Sequence, residues 1–127
     1  FYKDLFKGTV AHQSTFGEIP PDPQNPPIPP EAKDRLMHVH LQVGAQALMG
    51  SDTLPGASDV CAGGYAKPQG LWVSIQADDV AEGRRVFDAL AQGGQVTMPF
   101  DKTFWSAGFG MVTDRFGTPW MDNVNAG

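Results

Sequence analysis

From Arg35 the chain alternates, with Met37, Val39 and Leu41 at odd positions and Leu36, His38, His40 and Gln42 at even ones. A period of two is the pattern of a strand with one buried face. Gly44 marks a turn, and AQALMGSD (45–52) reads as the partner strand. Upstream, TVAHQSTF (9–16) predicts another strand, preceded by FYKDLFKG. There Phe1 and Leu5, and Tyr2 and Phe6, lie four apart before Gly8, as in an amphipathic helix closed by a C-cap glycine. The chain opens inside this helix without an initiator Met, which implies further chain upstream.

The second half repeats the theme. LWVSIQA (71–77) sets Leu71, Val73 and Ile75 against Trp72, Ser74 and Gln76. A helix follows: Asp79 and Glu82 form a capping box, and Gly83, Val86, Phe87 and Leu90 share one face until Gly93-Gly94. Strands are then expected in QVTMPF, in FWSAGFGMVTD and in TPWMDNV, the last two joined through a turn at 114–117. The order is helix–strand–strand–strand, then a Gly/Pro-rich linker at 53–69, then strand–helix–strand–strand–strand. The two halves match, except for a leading strand, as a weak repeat of about 60 residues.

Composition narrows the function classes. A chain of 127 residues with 41% hydrophobic and 18% charged content suits a single folded domain, 1–127. Nine scattered Lys and Arg and a net charge of −5 argue against a nucleic-acid partner. No apolar run approaches the roughly 20 residues that span a bilayer, and the start lacks the basic-then-apolar order of a signal peptide. No membrane partner and a cytoplasmic location are therefore expected. The single cysteine, Cys61, lies in the Gly-rich DVCAGGY without an adjacent base and reads as an incidental thiol. Seven of the eleven prolines fall within residues 19–30, a stiff polyproline-like excursion whose PxxP spacing also suits an SH3-type partner.

The residues FYKDLF (1–6), DRLMHVHL (34–41), ALMGSD (47–52) and TFWSAGFGMVTDRFGTPWMDN (103–123), within paired βαβββ patterns, carry a resemblance. The chain resembles the vicinal oxygen chelate superfamily of glyoxalases, bleomycin-resistance proteins and extradiol dioxygenases, and within it the PhnB-like branch labelled 3-demethylubiquinone methyltransferase-like. The resemblance implies an α+β fold of paired βαβββ modules, forming a curved mixed sheet around a U-shaped trough. The modules would be 1–52, lacking its leading strand, and 70–124. It also implies a homodimer. Metal-dependent relatives place ligands on the first and last strands of each module. At the matching second-module positions this chain has Gly70 and Met121. Asp122 is adjacent, but one residue along a strand means the opposite face. Asp52 stands at a loop edge.

His38 and His40, two apart on a strand and roughly 6–7 Å from each other, could share a metal with one carboxylate. They are instead read as trough residues, with His12 joining them if register and parity agree. Trp72, Trp105 and Phe109 offer flat aromatic contact to a planar ligand, Ser74 and Met121 share the same expected face, and Trp120 belongs to the core. There is no P-loop, dinucleotide fingerprint or Ser-hydrolase elbow, and nothing supports methyl transfer. His38 and His40 are candidate general bases by their type. The expected function is binding of a small planar or aromatic molecule with no metal cofactor. The alternative is a divalent-metal-dependent lyase, isomerase or dioxygenase rebuilt around His38 and His40. A third class is a scaffold that captures SH3-like domains through residues 19–30.

Overall fold

A computed structural model describes residues 1–24, 27–54 and 66–126. The architecture is mixed α+β, in two units, Phe1–Ala66 and Lys67–Gly127, each with its own sheet. Cys61 and most of the expected linker lie outside the described residues.

In the first unit a short helix α1 (Tyr2–Leu5) precedes β1 (Thr9–Thr15), β2 (Leu36–Val43) and β3 (Gln46–Gly50). The three strands form an antiparallel sheet in that order. Leu5 on α1 and Leu41 on β2 are buried. A Cβ at Gly8 would touch Leu41 and Val43, so the chain leaving α1 crosses the odd-numbered face of β2. The expected C-cap role of Gly8 is corrected: Lys7 takes the left-handed conformation, with φ 53°, and Gly8 serves the close approach. The proline-rich segment follows a 3-10 turn at Phe16–Glu18, capped through Thr15 and Glu18. Its ends are drawn together where Phe16 N donates to Arg35 O at 3.0 Å and Gly17 N to Lys33 O at 2.9 Å. Residues 25 and 26 of the PxxP stretch lie outside the described residues.

The second unit is a βαβββ module: β4 (Val73–Ala77), α2 (Val80–Ala91), β5 (Gln95–Asp101), β6 (Ser106–Thr113) and β7 (Pro119–Asn125). The strand order is β4-β7-β6-β5, with β4 parallel to β7 and the other pairs antiparallel. Strand β4 is shorter than its alternation suggests, since Leu71 and Trp72 precede it. The first unit repeats this module from its helix onward, and β3 there corresponds to β7, with no strand matching β4 beside it among the described residues.

Helix α2 begins where the Asp79 side chain accepts the Glu82 N–H at 2.8 Å, satisfying an amide that helix geometry leaves without a partner. Its buried residues are Gly83, Val86, Phe87 and Leu90, the face the 3.6-residue period selects. That face meets Phe100 on β5, Val112 on β6 and Trp120 and Val124 on β7, all buried.

The Gly-Phe-Gly of β6 has a packing reason. A Cβ on Gly108 would stand 2.5 Å from Cζ of Phe100, and one on Gly110 would stand 2.6 Å from Cε2 of Phe87. Both distances are far below van der Waals contact, so only glycine lets the two rings, 5.6 Å apart and tilted by 43°, approach the strand this closely. Gly110→Ala should therefore lower stability by about 1–3 kcal/mol through overpacking, read as a lower urea midpoint at unchanged slope. A midpoint equal to that of the unsubstituted protein would contradict this packing.

Candidate functional site: the open face of the second sheet

Burial of one face commits the other to solvent. Along β6, Ser106, Gly108, Gly110 and Val112 are buried, while Ala107, Phe109, Met111 and Thr113 are partly exposed. Along β7, Trp120, Asp122 and Val124 are buried, and Met121 and Asn123 face outward. The register joins these outward residues into one strip. Met111 pairs with Met121, Phe109 with Asn123, Ser74 with Met121 and Gln76 with Asn123.

One end of the strip is an open groove of about 550 Å³ lined by Leu71, Trp72, Met98, Met111, Thr113 and Pro119. Trp72 is 47% exposed there. At the other end the Trp105 ring meets Phe109 edge-on at 5.9 Å and Phe104 at 4.6 Å. Phe104 is 96% exposed. Beside Phe109, Asn123 Nδ2 donates to Gln76 Oε1 at 2.8 Å and Gln76 Nε2 to Asn123 O at 3.1 Å. Thioethers, indoles and a paired set of amides thus share one sheet face, a combination that suits flat ligands with a polar edge.

The β6–β7 hairpin that carries most of this strip is held by Asp114, which is 4% exposed. Its Oδ1 accepts the Phe116 and Thr118 N–H groups at 2.9 and 3.0 Å, and its Oδ2 accepts Trp120 Nε1 at 2.9 Å. The motif TDRFGTPW is therefore a turn whose one carboxylate also anchors the core indole. Sequence reasoning identified the turn and the buried Trp120. It missed the bond between them, which side-chain preferences alone do not specify.

His38 and His40 stand on the first unit's sheet. Their face also carries Gln42, whose Oε1 lies 3.2 Å from His40 Nε2. His12 pairs with His40 across β1 and β2, and the His12 and His38 rings are 5.9 Å apart. Register and parity thus agree, and the three imidazoles share a face. Asp52, the loop-edge carboxylate, accepts the Leu36 N–H at 2.8 Å. Among the described residues, no three His, Cys, Asp or Glu side chains gather as a metal-binding group.

The metal positions implied by the family resemblance fit poorly. Gly70 has φ +75°, a conformation that strains any side-chain-bearing ligand placed there. Met121 presents a thioether to the open face, where a hard or borderline divalent ion would want a carboxylate. Asp122 points under α2, with 0% exposure. Burial, reinforced by the negative charge of Glu82, pushes its carboxyl up to about 7. Alternation already placed an acid between Trp120 and Val124, two core positions, and that parity was the available signal.

The family model for the Glyoxalase/Bleomycin resistance protein/Dioxygenase superfamily matches residues 1–121. Protein YjdN of Escherichia coli (strain K12) is 33% identical over 129 residues, covering 98% of this chain and 83% of its own. The crystal structure of protein PA1353 from Pseudomonas aeruginosa is 41% identical with a TM-score of 0.81, covering 98% of this chain and 84% of that one. A putative 3-demethylubiquinone-9 3-methyltransferase, PhnB protein, from Bacillus cereus has a TM-score of 0.69 at 20% identity, over 97% and 84% of the two chains. That last likeness is one of fold.

Removing the Asp114 carboxylate leaves two amides and an indole N–H to find other partners. Asp114→Ala should cost about 2–3 kcal/mol and shift tryptophan emission to the red as Trp120 is exposed. A loss below about 0.5 kcal/mol, within the range of an ordinary surface substitution, would contradict the anchoring role.

Proposed function

Because the chain belongs to the Glyoxalase/Bleomycin resistance protein/Dioxygenase superfamily, we propose that it binds a small planar or aromatic molecule without a metal, over the open face of the second sheet. The observation that carries this reading is the continuous strip from Trp72 through Met111 and Met121 to Phe109 and Trp105. Trp72 and Met111 offer apolar area in the groove, and indoles lose little conformational entropy on contact. Ser74, Gln76 and Asn123 supply hydroxyl and amide groups that orient a ligand's polar edge. Specificity then follows from leaving those amides unmatched when the edge is wrong.

The three-imidazole face of the first unit favours a second reading, a metal-dependent lyase, isomerase or dioxygenase rebuilt around His38 and His40. Here His12 would join them, with its ring 5.9 Å from that of His38. Neutral imidazoles suit zinc, nickel and iron. That reading predicts stoichiometric metal in the purified protein, lost in the His38→Ala/His40→Ala double variant. Protein free of metal, with melting unchanged by added divalent ions, sinks it.

The test of the first reading is tryptophan fluorescence during titration with a panel of planar aromatics: 1,4-naphthoquinone, 2-naphthoate and quinoline. At least one should quench saturably, and Trp72→Ala should weaken it about tenfold, the loss expected when a stacking contact worth about 1.4 kcal/mol is removed. Flat titrations across the panel, or equal affinity in the variant, would overturn it.

A further inference from the structure

Asp122 is unlike the other acids described here. It lies mid-strand on β7, paired with Ile75 of β4 and Gly110 of β6. Its exposure is 0%, and neither carboxyl oxygen has a hydrogen-bond partner. The other buried acid, Asp114, accepts three bonds. A buried carboxyl with no donor is tolerable when neutral and expensive when ionised.

We propose that Asp122 makes the packing of α2 on the second sheet respond to protons, accommodated as the neutral acid and loosened as the carboxylate.

The surroundings offer the ionised form no compensation. Ile75 and Gly110 are uncharged, as are its inward neighbours on β7, Trp120 and Val124. From α2 the inward residues Gly83, Val86, Phe87 and Leu90 are uncharged too. Glu82, on the same helix, disfavours ionisation. Both helix cations are directed elsewhere. Arg85 bonds the Glu82 carboxylate at 2.6 and 2.8 Å, and Arg84 donates to Phe100 O at 2.6 Å with its guanidinium 4.7 Å from that ring. From β5 the inward residue is Phe100. On the opposite face of β7, Met121 and Asn123 belong to the ligand strip, so a shift of β7 would reach it. This device goes beyond the ligand-binding reading and does not depend on it.

The sign follows from linkage. An unfolded Asp ionises near pH 3.9, whereas the folded group holds its proton to about 7. The folded state therefore binds the extra proton between those values, and its advantage is full below the window and lost as pH rises through it.

The test compares full-length protein with Asp122→Asn, a neutral isostere, by urea unfolding between pH 4 and 8.5. Tryptophan emission is the probe, because Trp72, Trp105 and Trp120 all lie in the second unit. The folded-to-unfolded ratio of the unsubstituted protein, relative to the variant, should fall by about tenfold per pH unit between about pH 4 and 7, then level. Parallel profiles would overturn the proposal. If the variant does not fold, the 13Cγ resonance of Asp122 in the unsubstituted protein decides: a midpoint near 7 supports the proposal, and one near 4 overturns it.

Discussion

The seam between α2 and the β6–β7 hairpin is the interaction on which the second unit depends. Phe87 and Phe100 can pack this closely against β6 only because positions 108 and 110 carry no side chain. That seam takes Val112, Trp120 and Val124 out of water, at roughly 25 cal/mol per Å² of apolar surface. Strand geometry then leaves no choice for the residues between them. Phe109, Met111, Met121 and Asn123 must point to the other face. The exposed strip is thus the complement of the core.

Much of this was legible in the sequence because it follows from period. Asp79 and the Gly83, Val86, Phe87, Leu90 stripe placed α2, and alternation placed the strands near their observed positions. The long motif ending in TPWMDN carried the family resemblance, which the match over residues 1–121 bears out. What stayed illegible depended on contacts distant in sequence or on exact backbone angles. The reason for Gly108 and Gly110 lies in two rings from other elements. Lys7, rather than Gly8, turns left-handed, and Gly8 stands where the chain passes close to β2. The sharing of one face by His12, His38 and His40 required a register that no local pattern reveals.

The candidate site was partly legible for the same reason. Trp72, Ser74 and Met121 were assigned to a face by parity, which left Phe109 and Trp105 open, and the register lays Ser74, Met121 and Phe109 along one strip, with Trp105 against Phe109. The amide pair of Gln76 and Asn123 went unremarked because only the parallel pairing of β4 with β7 makes them neighbours. Asp122 was legible in the same way: one residue from Met121, it falls on the opposite face by alternation, and its side chain belongs to the seam and bears on α2. Adjacent residues on one strand thus serve opposite faces, one open to solvent and one toward the helix.

The most direct measurement of the binding claim is NMR shift mapping of protein labelled at methyl and indole positions, titrated with whichever planar aromatic of the panel quenches most strongly. Shifts concentrated at Trp72, Met111 and Met121, with Val86 and Leu90 on α2 unmoved, are the predicted result. Shifts confined to α2, or none at the open face, would contradict it.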